Sequence, residues 1–245
     1  MPTQSPSQLQ IPERALAVGA HPDDVEFGCG GTLAKWAANG CEVSHLVCTD
    51  GSKGSWDPLQ DRSSLVSERQ AEQRAAARAL GATGQVVFLG WPDGELACGV
   101  RQRWDVCYWI RKLRPDVVLG HDPWKRYRLH PDHRNAGFLV TDGVVAARDP
   151  HFFPEQGPPP HRPTAVLLWE ADEPDYTEDV SEFVPAKLEA LLEHRSQFRS
   201  TMAVTDPASE EELGAFRDKM RARMAEAGAE SGFESGEQFK LIDRV

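Results

Sequence analysis

The stretch Ala15-Leu16-Ala17-Val18-Gly19-Ala20-His21-Pro22-Asp23-Asp24-Val25-Glu26, running on into Phe27-Gly28-Cys29-Gly30-Gly31, decides how this chain folds. Residues 15–19 are a short apolar run of the kind that makes a fully buried strand. A polar turn follows at once, and Gly28 to Gly31 lead into a helical stretch expected over residues 32–39, with Gly40 as its stop. Strand, tight turn and helix in this order open an α/β domain, and the turn lies at the strand's carboxyl end.

The pattern then repeats. Further strands are expected at residues 43–49, 86–89, 117–119 and 165–169. Helices are expected at 65–80, stopped by Gly81, and at 131–147, with Pro131 in the first helical position. Val100, Trp104, Cys107 and Ile110 recur at helical spacing ahead of Pro115, and residues 185–198 and 210–227 read as amphipathic helices. Leu213, Phe216, Met220 and Met224 form a stripe on the last, read as core. Five alternations of strand and helix predict one Rossmann-like α/β domain over residues 1–245, a mostly parallel sheet of five or more strands in the order 3-2-1-4-5 with helices on both faces. Residues 1–12 are expected to be a flexible N-terminus and 228–245 a C-terminal tail. The Pro-rich segment 148–162 is expected as an irregular loop able to rim the site.

In such a sheet ligands bind beyond the carboxyl ends of the strands where the order reverses. His21, Asp23 and Asp24 follow strand one, and His130-Pro131-Asp132-His133 follows strand four, so the two clusters meet across that point. His21, Asp24 and His133 supply two imidazoles and a carboxylate for one catalytic divalent metal and leave positions open for water and substrate. Asp23, beside a ligand but aimed elsewhere, is the natural general base. His130 can stand over the substrate, with Asp132 fixing its tautomer and raising its pKa so that imidazolium acts on the oxyanion or the leaving amine. The competing readings are a plain turn with an N-cap carboxylate, a backbone hydrogen bond for Asp23, and His130 as a fourth ligand. His121 and Asp122 lie at the end of strand four and could line the pocket or be structural. His45 reads as a packed core histidine, and His194 is left between the two roles.

With 245 residues, 27% charged and 40% hydrophobic, the chain has an ordinary globular composition. Its net charge of -11 argues against a nucleic-acid partner and against docking on an anionic membrane. The five cysteines, Cys29, Cys41, Cys48, Cys98 and Cys107, are scattered and odd in number, as reduced core thiols of a cytoplasmic protein would be. No secretory leader is read in residues 1–10, and no run approaches the ~18 apolar residues of a transmembrane helix. A homo-oligomer is compatible with all of this.

Six motifs occur in order over about residues 14–200: Ala20-His21-Pro22-Asp23-Asp24-Val25-Glu26; Thr49-Asp50-Gly51; Arg69-x-x-Glu72 with Leu80-Gly81; Pro92-Asp93-Gly94; His130-Pro131-Asp132-His133; and His194-x-Ser196-Gln197. On these the chain resembles the LmbE-like, PIG-L-type zinc N-deacetylases. The resemblance implies zinc on His21, Asp24 and His133, with Fe2+ or another divalent metal as alternatives. It implies Asp23 as general base and His130, supported by Asp132, at the oxyanion. It further implies Arg69 on the substrate side, Asp93 as a sugar-hydroxyl acceptor, and a small N-acetylated amino sugar as substrate. Amidases acting on thiol conjugates or antibiotic precursors belong to the same family. Some members carry a tyrosine where this chain has Arg128, next to Tyr127. A non-haem Fe(II) oxygenase would use a similar ligand set, but the α/β pattern disfavours it. A dinucleotide fingerprint fails because Leu33 occupies its third glycine position. A non-catalytic metal or sugar binder would not need Asp23 and His130.

Overall fold

In the computed structural model, which describes residues 9–245, β1 (Arg14–Gly19) is buried from Ala15 onward. Ala15 and Ala17 join one core layer and Leu16 and Val18 the other, because a central parallel strand is covered on both faces. β2 (Glu42–Thr49), β3 (Val86–Trp91), β4 (Val117–His121) and β5 (Ala165–Trp169) lie parallel to it. β6 (Tyr176–Asp179) and β7 (Gly236–Ile242) extend the sheet antiparallel beyond β5. The order is β3-β2-β1-β4-β5-β7-β6, which keeps the expected 3-2-1-4-5 core.

α1 (Asp24–Ala38), α2 (Arg62–Ala79) and α5 (Val184–Leu192) cover one face, contributing Leu33, Trp36, Ala76 and Ala190 to its core. α3 (Val100–Leu113) and α4 (Pro131–Arg148) cover the other with Val106, Ile110, Leu139 and Val140. α6 (Glu210–Ala229) forms a third apolar cluster with α5, built on Leu188, Leu191, Leu213, Phe216 and Met220. Val18 pairs with Leu46 on one side and Gly120 on the other. This register sets the end of β1, with His21 and Asp24 just beyond, beside His121 at the end of β4.

Three local features differ from expectation. α1 starts directly at Asp24 and breaks at Cys29 (φ -148°, ψ 20°) instead of starting after the glycines. The break exposes helix-end groups that need partners. Lys187 Nζ donates to Phe27 O at 2.9 Å, and the Glu237 carboxylate accepts from Gly31 N, Thr32 N and Thr32 Oγ1 at 2.9, 2.8 and 2.6 Å. Gly28 is there for packing, since a Cβ would sit 2.6 Å from the Trp169 indole.

Second, residues 236–242, inside the stretch expected as a tail, form β7. Its one large fully buried side chain is Phe239, while Glu237 is buried to serve α1, so no apolar alternation announces the strand. Of the N-terminal segment expected to be flexible, residues 1–8 lie outside the described residues. Leu9 and Ile11 pack against the core.

Third, the Pro-rich loop lies away from the site. It follows α4 and enters β5, and His161 Nε2 meets Pro115 O at 2.7 Å ahead of β4, at the amino ends of the strands. Arg111 ties it down by donating to the carbonyls of Asp149 and Phe152, both at 2.8 Å. No helix among the described residues is long and apolar enough to cross a membrane.

Candidate metal centre and active-site cavity

The turn between β1 and α1 forces Asp23 to a positive φ of 102°, a conformation that costs of order 1–3 kcal/mol in a non-glycine residue. It is held there from behind: Asp23 N–H donates to Gln73 Oε1 at 3.0 Å, and Gln73 Nε2 donates to Glu26 at 2.7 Å. Arg69 donates to Pro22 O at 2.7 Å and to Gly51 O at 2.9 Å, with the Asp23 carboxylate 3.5 Å away. Asp23 therefore does not cap α1 with its side chain, as a plain turn would have it.

Asp24 is the hub of the site. Its Oδ1 lies 3.2 Å from His133 Nε2, and its Oδ2 lies 3.2 Å from His121 Nε2, 3.4 Å from His21 Nδ1 and 2.7 Å from the His21 amide, which donates to it. His21 Nε2 faces Asp132 Oδ2 at 3.1 Å and Asp93 Oδ1 at 3.2 Å. His21, Asp24 and His133 each offer one ligand atom, all within 4.8 Å of one another. Two carboxylates hold a proton on Nε2, so Nδ1, beside Asp24, is the nitrogen that His21 has to offer a metal. With Asp24 and His133 it makes two imidazoles and a carboxylate, a donor set that fits a divalent metal.

The electrostatics follow from crowding. Burial lowers the His21 pKa, but hydrogen bonds to Asp132, Asp24 and Asp93 reverse this and hold it well above 6.5. Burial raises the pKa of Asp24, and the His133 and His121 charges overcome it, leaving the carboxyl well below its usual range. Asp23 goes the other way. Burial, with Asp24 beside it, lifts its pKa to about 6 against the opposing pull of Arg69.

Several residues are oriented differently from the sequence expectation. Asp132 does not hold His130 with its side chain. Its oxygens accept from Gly94 N at 2.6 Å and Leu96 N at 3.1 Å and face His21. His130 instead caps α4, its Nδ1 accepting from Asp132 N–H at 3.2 Å. Burial and the neighbouring His21 and His133 charges lower its pKa, opposite in direction to the rise expected from Asp132, and an accepting Nδ1 leaves Nε2 to carry the hydrogen.

Arg69, expected on the substrate side, is buried with two nitrogens committed to main-chain carbonyls, although it still lines the cavity. Asp93 also lines the cavity but accepts from Lys53 N at 2.9 Å besides facing His21. Burial would raise its pKa, and His21 with the Lys53 amide pulls it down to about 2.

His121 is the residue that sequence reasoning left undecided. Trp169 Nε1 donates to its Nδ1 at 2.9 Å and Arg128 approaches the same atom at 3.2 Å, so the proton is on Nε2, toward Asp24. Its place at the end of the strand beside β1 was the available signal. Arg128 is buried against Glu170 at 2.8 Å, whereas Tyr127 is 94% exposed.

The centre floors a cavity of about 750 Å³, within the ~300–1,000 Å³ typical of small-molecule sites. Neither the Pro-rich loop nor β7 walls it. Lys53 and Trp56, Gln197 and Ser200, and Phe216 and Lys219 of α6 are among the residues that do. The stripe on α6 read as core is thus partly cavity wall.

The family model for GlcNAc-PI de-N-acetylase, PIG-L, matches residues 16–144, a stretch that holds His21, Asp23, Asp24, His130 and His133. The chain belongs to this family. As a PIG-L family member it is 37% identical over 189 residues to diacetylchitobiose deacetylase of Thermococcus kodakarensis, covering 76% of this chain and 70% of that protein. It is 32% identical over 241 residues to 1D-myo-inositol 2-acetamido-2-deoxy-alpha-D-glucopyranoside deacetylase of Actinosynnema mirum, covering 77% and 82%. The solved N,N'-diacetylchitobiose deacetylase of Pyrococcus horikoshii, in complex with an inhibitor, superposes with a TM-score of 0.84 at 30% identity, covering 95% of this chain and 84% of that one.

Proposed function

We infer that this PIG-L family chain is a zinc-dependent N-deacetylase that releases acetate from an N-acetylated amino sugar of small-molecule size. The observation carrying the reading is the convergence of His21, Asp24 and His133 on one point, with the Asp23 carboxylate next to it in the same cavity. The deacetylases among its relatives support the reaction class. Two imidazoles and a carboxylate suit zinc, and a divalent ion there supplies Lewis acidity for the acetyl carbonyl and for the attacking water.

The remaining steps belong to the chain. Asp23, buried in the cavity beside the metal ligand Asp24, is placed to accept the proton of the attacking water. The same carboxyl then carries a proton that can pass to the leaving amine nitrogen. Arg69 keeps Asp23 and the Pro22 carbonyl in register. His130, held by its capping bond, donates its Nε2–H to the oxygen that becomes negative as the tetrahedral centre forms. His121 stands beside the Asp24 carboxylate, its Nε2 3.2 Å from Oδ2. The five free cysteines fit a cytoplasmic setting as part of the same reading.

Amine release from a panel of N-acetylglucosaminides by zinc-loaded protein tests this. Turnover that disappears on chelation and returns with zinc is the expected outcome. Absence of amine release from every member of the panel would overturn the reading.

A further inference from the structure

Arg69 and Gln73, one turn apart on α2, hold opposite ends of a single peptide group. Arg69 Nη2 donates to the Pro22 carbonyl at 2.7 Å, and Gln73 Oε1 accepts from the Asp23 N–H at 3.0 Å. Rotation of that peptide is the movement that would take Asp23 out of its positive φ of 102°, and both bonds would be lost in it. The two side chains therefore oppose the relief of strain at the residue that carries the proposed base.

The Gln73 half works only with its amide one way round. A flipped amide would set its NH2 group against the Asp23 N–H, donor against donor. Gln73 Nε2 lies 2.7 Å from Glu26 Oε1 and 3.2 Å from His45 Nδ1. A carboxylate only accepts, so the NH2 group must face Glu26 and the amide oxygen is left for Asp23. Glu26 is fixed in turn by His194, whose Nε2 donates to its Oε2 at 3.1 Å. Glu26, Gln73 and His194 are fully buried, and among the described residues those lining the cavity include none of the three.

The rest of the late motif braces the same helix. Ser196 donates to Glu72, the neighbour of Gln73, from its amide at 2.7 Å and from its hydroxyl at 2.6 Å. Gln197 Nε2 donates to Gly54 O at 3.2 Å, in the loop whose Gly51 carbonyl accepts from Arg69. Residues 194–197 thus support both halves of the hold on one peptide.

We propose that Gln73 is a positioning residue for the general base, clamping the Pro22–Asp23 peptide together with Arg69, and that His194, acting through Glu26, sets the direction of the Gln73 amide. The inference rests on the reading of Asp23 as the base and gives the late His194-x-Ser196-Gln197 motif its task.

The test compares zinc-loaded wild type, Gln73→Met, Asp23→Asn and the double variant for amine release from the N-acetylglucosaminide panel. Hydrogen exchange of the Asp23 amide is followed by NMR. Gln73→Met should keep its zinc and a KM within about 2-fold of wild type, while kcat falls by about 10- to 100-fold as the base loses alignment. Its Asp23 amide should exchange faster. In the Asp23→Asn background the same substitution should cost no more than about 2-fold further, because its effect passes through Asp23. A wild-type kcat in Gln73→Met, or an equal loss with and without the Asp23 carboxylate, overturns the clamp. If Gln73→Met does not fold, His194→Leu and His194→Gln decide. A kcat loss in the first that is relieved in the second, which can still donate to Glu26, supports the proposal. A loss left unrelieved, or no loss, overturns it. Near wild-type turnover of Asp23→Asn fails the base reading instead. Where wild type releases no amine, faster exchange of the Asp23 amide in Gln73→Met upholds the clamp, and unchanged exchange overturns it.

Discussion

Glu26 and His194, 168 positions apart in the chain, meet at 3.1 Å with neither side chain reaching solvent. Glu26 also receives Gln73, whose other end holds the Asp23 amide, so this pair anchors the strained turn of the site. Burial alone would lower the His194 pKa, and the hydrogen bond and charge of Glu26 raise it instead.

A raised folded pKa means that the stabilisation is complete below the unfolded value of ~6.5 and is lost as pH rises through the folded value. Metal-free wild type should therefore lose unfolding free energy more steeply above pH 6.5 than His194→Gln, measured by urea titration across pH 6–9. Equal slopes would show that the pair holds no extra proton.

His133→Ala should lose most of its zinc, because it removes one of the two imidazoles in the proposed ligand set. Metal analysis after dialysis checks this, and full stoichiometry in the variant would remove His133 from the ligand set.

Asp23→Asn should keep its zinc and lose turnover by ~10²–10⁴-fold, because an amide cannot accept the proton. Near wild-type amine release from a metal-replete variant would exclude Asp23 as the base.

Lys187→Met leaves Glu237 as a buried carboxylate with no cation and frees the Phe27 carbonyl. Breaking such a pair costs about 3–5 kcal/mol. Denaturant unfolding should show a loss of this order, with Lys187→Met plus Glu237→Leu falling well short of additivity. A loss below 1 kcal/mol for the single variant would mean that the break in α1 tolerates an empty cap.

The parallel core was legible because β1, β4 and β5 carry continuous apolar runs and β2 carries Val43, Leu46, Val47 and Cys48, and their order alone brought His21 toward His133. β6 and β7 were not, because Thr177, Glu178, Glu237 and Lys240 give them no hydrophobic signature. The Pro-rich loop was misplaced although its position was readable: it follows a helix, and loops after helices return to the amino ends of a parallel sheet. The ligand-type residues could be named from the sequence, but the direction of the Asp132 carboxylate could not. That direction depends on the Gly94 and Leu96 amides, contributed by a loop some forty positions earlier.

The position of β7 has a consequence for synthesis. The break in α1 receives its cap from Glu237, so the ribosome must reach the last turn of sheet building before the first helix can be completed. A nascent chain displaying residues 1–200 already carries every side chain of the proposed centre, yet Gly31 and Thr32 there have no acceptor and β5 has an open edge. Domains that finish folding only as their final strand inserts expose such edges to other chains in the meantime. For this protein, catalytic competence and escape from aggregation are expected to arrive together, once β7 has inserted and not before.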